Sequence, residues 1–421
     1  MEKMKVSKTE DVIENMMENV KEDRRPLGLY IHIPFCVKKC DYCDFLSAPA
    51  TETMKKRYVD ALITEIKGSG SFYSTYEVQT IFFGGGTPSC LEASEIERIM
   101  KAIGETIRLS RASMEVSIEV NPGTLTEEKL RVYKRAGINR LSFGLQSAND
   151  KELKNLGRIH TYQQFKENFL LARTLGFQNI NVDLMSALPE QTVESWENTL
   201  RTIIALAPEH ISAYSLIVEE GTGFYERYRE GSAGYRLLPD EDTDRSIYHL
   251  TKEILKDNGY DRYEISNYAK QGFECRHNSS YWIGIDYLGL GLGASSLIQG
   301  VRFSKEEDLQ KYILLCEQGA VTLERDKPDQ LVDSLGLVRD RDQLTLVQRM
   351  EEFMFLGLRM CKGISKREFN HRFQKSIKET YPEIIDELVE KALLIEDGDL
   401  IRLTDLGIDV SNQVLAEFLL E

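Results

Sequence analysis

The sequence predicts an α/β fold: an open, curved (β/α)6 sheet, a partial TIM barrel, followed by a winged-helix-like α+β unit. Three observations predict it. From Leu27 onward, short apolar or β-branched runs alternate with longer amphipathic ones through six repeats, and such repetition means parallel strands joined by right-handed crossovers. Six units are too few to close an eight-strand barrel. After residue 345 the pattern changes to helices plus one hairpin, the ingredients of a winged-helix-like module.

Residues 1–26 precede the first strand, and Val12, Ile13, Met16, Met17 and Val20 recur there at helical spacing. The runs 27–33, 78–83, 114–120, 139–145, 179–185 and 210–217 read as strands. Between them, 52–67, 92–107, 125–136, 149–156 with 162–175, and 192–206 read as helices. The segment 219–300 leaves the strict repeat, with glycines at 221, 223, 231 and 234 and a helix over 241–257. Alternating glycines in Tyr287–Ala294 mark a strand approached closely by a flat or bulky group, or simply a tightly packed sheet. The polar stretches Arg325–Asp329 and Arg339–Asp342 read as a connection. Beyond it, helices are expected from Leu346 to Leu358 and near 365–374, 380–393 and 405–420, with a hairpin over 394–403 turning on Asp397-Gly398. The expected organisation is therefore an N-terminal extension (1–26), a core with its following extension (27–300), a connecting segment (301–344) and a C-terminal domain (345–421).

The chain has 421 residues, 42% hydrophobic and 29% charged, enough to bury large cores. A net charge of −15 argues against general nucleic-acid binding, which needs a basic surface to meet phosphates. The N-terminus has no apolar signal core and no uncharged run reaches membrane-spanning length, so a cytoplasmic protein is expected. Cys90, Cys275, Cys316 and Cys361 are scattered and read as inert buried thiols.

The chemistry concentrates in Leu29–Phe45. Cys36, Cys40 and Cys43 fall within eight residues, in a loop that follows the first strand. Thiolates this close can converge on one soft metal centre. Three on a four-iron cluster leave one iron open to a ligand, whereas zinc held by the same cysteines would need His32 as its fourth ligand. His32 lies in the alternating strand and is expected to point away from the loop. In parallel sheets ligands sit at the carboxyl ends of strands. The polar residues there are Gly84-Gly85-Gly86-Thr87, Glu119 in Ile118–Pro122, Gln146, Arg158 shortly beyond, and Asp183.

The spacing C-x3-C-x2-C, with Tyr42 before the third cysteine, resembles the signature of the radical S-adenosylmethionine (SAM) superfamily. That resemblance implies a [4Fe–4S] cluster on Cys36, Cys40 and Cys43, whose open iron chelates SAM. It also implies the same curved (β/α)6 core. The series YIHIPFC, GGGTP, ExNP, GLQS, GR and VDLM is further similar to the oxygen-independent coproporphyrinogen III dehydrogenase (HemN) group. Carried over residue by residue, SAM is expected at Tyr30, Tyr42, Gly85, Gly86, Thr87, Glu119, Gln146, Arg158 and Asp183, with Ile217 on the adenine wall.

Two branches of that group divide on few residues. The dehydrogenase has a fourth cysteine where this chain has Phe45; the haem chaperone branch reads C-x3-C-x-Y-C-x-F, as here. That branch also carries an H-N-x-x-Y-W stretch associated with haem, matched by His277, Asn278, Tyr281 and Trp282. The resemblance thus implies a haem chaperone with haem as cargo and haemoproteins as acceptors. Dehydrogenase activity is expected to be absent, no catalytic residue is assigned, and homodimerisation is left open.

Overall fold

A computed structural model describes residues 24–70, 75–107, 109, 114–318 and 336–420. The helix expected near residues 12–20 and the polar stretch Arg325–Asp329 lie outside these.

Six strands form the centre of the sheet in chain order: β1 (Arg25–Ile33), β2 (Tyr76–Gly85), β3 (Glu115–Val120), β4 (Arg140–Gln146), β5 (Ile180–Ser186) and β6 (His210–Ser215). All five pairings between them are parallel. The crossovers are helices α1 (Glu52–Gly68), α2 (Ala93–Thr106), α3 (Glu127–Arg135), α4 (Asp150–Asn155) with α5 (Tyr162–Thr174), and α6 (Val193–Ile204). Threonine begins four of them: Thr51, Thr126, Thr161 and Thr192 each accept a first-turn backbone N–H. Such caps contribute about 1 kcal/mol each.

Side-chain alternation splits β1 into two faces. Leu27, Leu29, Ile31 and Ile33 are fully buried, with Tyr58, Val59, Leu62 and Ile66 of α1 in the same core. The even positions Gly28, Tyr30 and His32 face the opposite, inner side. The same face continues through Thr80, Glu119, Gln146, Asp183 and His210, so the inside of the curve is polar while the helix-covered side is greasy.

The sheet extends beyond six strands among the described residues, to twelve. On one side β9 (Tyr287–Leu290) pairs parallel with β1, followed by β10 (Ser296–Ile298), β11 (Val301–Lys305) and β12 (Val338–Gln343). On the other, β7 (Asp261–Arg262) and β8 (Asn267–Ala269) continue antiparallel from β6. This corrects the reading of 301–344 as a connecting segment. Residues 301–317 and 338–343 supply two strands and helix α10 (Leu309–Glu317) to the main body, whose Tyr312, Ile313 and Cys316 sit in its core. The glycine run of β9 is explained by the protein itself. A Cβ at Gly291 would lie 2.4 Å from the Tyr58 hydroxyl, and one at Gly289 would lie 2.3 Å from the Ser295 carbonyl.

Three helices of the central region complete the body: α7 (Gly223–Tyr228), α8 (Glu241–Asp257) and α9 (Arg276–Trp282). The C-terminal unit has its own core, including Met354, Phe369, Tyr381, Leu388, Ile401 and Phe418. It comprises α11 (Leu346–Gly357), α12 (Lys366–Phe373), α13 (Ile377–Thr380), α14 (Ile384–Glu390), α15 (Asp405–Asp409) and α16 (Ser411–Ala416), around a small sheet. That sheet runs β13 (Ile364–Ser365), β15 (Leu400–Leu403), β14 (Leu394–Asp397), and the hairpin turns on Gly398-Asp399. The helix expected over 380–393 starts only at Ile384, after Pro382, and the one expected over 405–420 is split: a break at Val410 lets Ile408, Val414 and Phe418 all reach the core. No helix among the described residues is long and apolar enough to cross a membrane.

Candidate functional site

The site is built at the carboxyl ends of β1–β6. After β1 the chain runs into the cysteine loop, anchored by Cys36 N–H to the Ala48 carbonyl (3.2 Å) and by Cys43 N–H to the Cys40 carbonyl (3.2 Å). The end of β2 clamps it: Thr87 N–H donates to the Phe35 carbonyl at 2.7 Å. A Cβ on Gly86 would lie 2.6 Å from that carbonyl and 3.0 Å from Cys36 Sγ, so only glycine permits this approach. Gly85, at φ +113°, presents the same problem to the His32 ring at 2.6 Å. The triple glycine therefore fits strand and loop together, and the Gly85 N–H is already spent on Glu119 Oε2 (3.2 Å).

His32 departs from expectation. It points toward the loop, with Nε2 at 3.0 Å from the Leu46 carbonyl and Nδ1 at 3.1 Å from the Tyr30 hydroxyl. Both ring nitrogens are thus engaged, and burial lowers its pKa. It braces the loop as a neutral imidazole and is no fourth metal ligand.

The thiols suit a cationic centre. Cys36 is buried and Cys40 and Cys43 are half-buried, with no three His, Cys, Asp or Glu side chains among the described residues closed on one ion-sized point. Burial raises the Cys43 pKa, and the neighbouring Cys40 and Cys36 raise it further. Three soft donors that oppose each other's ionisation would be relieved by a thiophilic metal centre between them. Thr87 Oγ1 approaches Cys36 Sγ at 3.6 Å, and Arg158 Nη1 approaches Cys40 Sγ at 3.5 Å.

Beside the loop lie the other expected residues. Arg158 donates from Nη2 to Asn121 Oδ1 (2.6 Å) and to the Gly144 carbonyl, and its buried Nε has no partner. A guanidinium held by neutral acceptors, with a donor left over, is poised for a carboxylate. Across the inner face, Glu119 is crowded enough that burial, then the nearby Asp183, push its pKa up to about 8. Burial also raises Asp183, although Asn181 donates to it at 2.7 Å. This pair of carboxylates calls for a cation such as an ammonium. Gln146, at φ +79° in a register shift of β4, takes the Tyr214 hydroxyl on Oε1 at 2.8 Å. A non-glycine residue in that conformation is strain of the sort that collects at functional sites. Tyr42 packs edge-on against Phe224, and Asp41 binds Phe224 N–H (2.9 Å) and Arg227 (2.5 Å), so α7 buttresses the loop.

Tyr30, Tyr42, Gly85, Gly86, Thr87, Glu119, Gln146, Arg158 and Asp183 are therefore brought to one rim with the three cysteines. Ile217 lies beyond the end of β6 and is 69% exposed, a weak wall on its own. Asn121 was missed: it also donates to Thr87 Oγ1 at 2.7 Å, linking the glycine turn to Arg158. Its place in Glu119–Pro122 was the available signal.

The H-N-x-x-Y-W stretch is elsewhere. It forms α9, with its first amides at Arg276 and His277 both held by Glu115 of β3 at 3.1 Å. His277 is buried, stacked on Phe82 at 5.1 Å. Its nitrogens lie 2.8 Å from the Thr80 and Tyr281 hydroxyls, and burial lowers its pKa to about 3. Read as a haem ligand, His277 has no free nitrogen; it is a plug in the inner face. Tyr281 packs edge-on against both His277 and Tyr287. Trp282 instead borders a separate cavity toward the C-terminal unit.

Residues 30–203 match the radical SAM superfamily model and 344–410 the HemN C-terminal domain. The chain is 35% identical to the haem chaperone HemW of Lactococcus lactis, covering 94% of this chain and 98% of that one. It is 36% identical to HemW of Bacillus subtilis, over 93% and 98%. Among solved structures, coproporphyrinogen III oxidase (HemN) from Escherichia coli superposes with a TM-score of 0.80 over 96% of this chain and 93% of that one. Its sequence identity is 22%, a likeness of fold.

Proposed function

Because this chain belongs to the HemW family of the radical SAM superfamily, we propose that it is a cytoplasmic haem chaperone, binding haem and delivering it to haemoproteins. One observation carries the reading: similarity at 35–36% identity runs through 98% of each of two haem chaperones. By contrast, the oxidase shares the fold at 22% identity. Phe45 adds to it, standing 63% exposed where the dehydrogenase group has a fourth cysteine.

In this reading Cys36, Cys40 and Cys43 would hold a [4Fe–4S] cluster, and SAM would lie on the rim beside them. Bound there, the cluster supplies the electron that radical SAM chemistry uses on a carbon–sulfur bond. Arg158 receives the carboxylate of SAM, Glu119 and Asp183 meet its ammonium and ribose, and Gln146 and Thr87 orient it. The amides of the glycine turn play less part than sequence suggests, since Gly85 already serves Glu119. The test is transfer: protein loaded with haem and freed of excess is mixed with an apo-haemoprotein of distinct Soret band. Movement of the band to the acceptor is expected; failure to retain haem through gel filtration would refute the reading.

A further inference from the structure

Outside the cysteine site, a cavity of about 680 Å3 lies between the main body and the C-terminal unit. Its size lies within the roughly 300–1,000 Å3 of small-molecule sites. Trp282 after the plug, Phe353 and Leu356 of α11, and Phe373 of α12 give it an aromatic and aliphatic wall. That wall is braced: Arg359 sits 4.5 Å over the Trp282 ring, and Phe353 packs against Phe369 and Phe373 at 5.4 and 5.7 Å.

The charges are unequal in availability. Its acids are committed: Glu352 to Arg302 (3.0 Å), Glu368 to Arg372 (2.6 Å), and Asp286 to the Tyr76 hydroxyl and Gln299 N–H (both 3.0 Å). Arg25, Arg349 and Lys362 also line the cavity and make no ion pair among the described residues. Three cations outside any close ion pair line one apolar cavity, Arg25 and Arg349 near enough to Asp286 to favour its charged form; in a chain of net charge −15 they call for an apolar ligand that carries carboxylates. No histidine, cysteine, methionine or tyrosine lines the cavity, so it offers none of the usual axial ligands of haem iron.

We propose that this cavity is a porphyrin site, which grips a flat dicarboxylate macrocycle through its ring and its carboxylates and leaves the metal unligated. The proposal rests on the haem-chaperone reading and places the cargo against the C-terminal unit, away from the plug histidine.

The test is titration of the purified protein with haem, metal-free protoporphyrin IX and oleate, followed by absorbance and tryptophan fluorescence. Haem and protoporphyrin IX should bind with similar affinity and oleate far more weakly. Arg25→Glu with Arg349→Glu, both at exposed positions, should weaken both porphyrins by about tenfold or more through loss of charge-assisted bonds. Leu356→Trp should do so by filling the cavity, and His277→Gln should leave both affinities unchanged. Haem binding without protoporphyrin binding, or haem binding that ignores the charge reversals and Leu356→Trp, would overturn this site while leaving the chaperone reading intact. Oleate binding as tight as haem would also overturn it. Absence of haem binding to the unaltered protein would overturn the site and the reading together.

Discussion

Substituting His277 by glutamine separates a structural imidazole from a ligand. In the folded protein burial holds its pKa at about 3 against an ordinary 6.5, so the ring stays neutral where the unfolded chain takes up a proton. For a base with a depressed folded pKa, the stabilisation is complete above 6.5 and is lost as pH falls toward 3. Between pH 7 and 5.5 that single group withdraws about 1.2 kcal/mol of stability. Burial also lowers the pKa of His160 and His210, but these titrate identically in wild type and variant and cancel in the difference. At pH 7 His277→Gln should itself cost about 1–3 kcal/mol, from Thr80 or Tyr281 left without a partner and the lost stacking on Phe82. Urea denaturation of both proteins at pH 7.0 and 5.5 measures the effect: the gap between them should narrow by about 1.2 kcal/mol at the lower pH. An unchanged gap would mean that His277 ionises normally and is not the buried plug described.

Three further outcomes follow from the rim. Replacing Cys36, Cys40 and Cys43 together with alanine should remove all acid-labile sulfide and iron from anaerobically reconstituted protein, measured colorimetrically. Arg158→Lys should weaken SAM binding by about tenfold or more in calorimetry with the cluster intact, because one ammonium cannot serve Asn121, Gly144 and a carboxylate together. Glu119, with a pKa of about 8, must shed a proton to meet a cation. SAM affinity should therefore fall up to about tenfold per unit as pH drops from 8 to 6, and Glu119→Gln should abolish proton release measured in buffers of differing ionisation enthalpy.

Features with a local cause were legible in the sequence. The six parallel strands and their helices lie close to where periodicity put them, because each threonine cap and each alternating run acts within a few residues. The rim residues followed from the rule that parallel strands present their carboxyl ends to ligands. What depended on distant partners was not legible. Arg339–Asp342 looked like a linker because β12 is an edge strand, charged and exposed along its length, and only its pairing with β11 makes it part of the sheet. His277 looked like a loop ligand because Glu115, which holds its helix, lies on a strand far earlier in the chain. His32 was turned the wrong way for the same reason: the Leu46 carbonyl that receives it belongs to the returning end of the cysteine loop.

The central claim, a radical SAM protein that carries haem, is tested most directly by one parallel assay. Anaerobically reconstituted protein receives SAM and reductant, with haem in one vessel and coproporphyrinogen III in the other. Haem retained through gel filtration at about one per chain, from one cavity of porphyrin size, with no protoporphyrinogen formed, is the predicted result. SAM-dependent decarboxylation of coproporphyrinogen, with no haem retained, would contradict it.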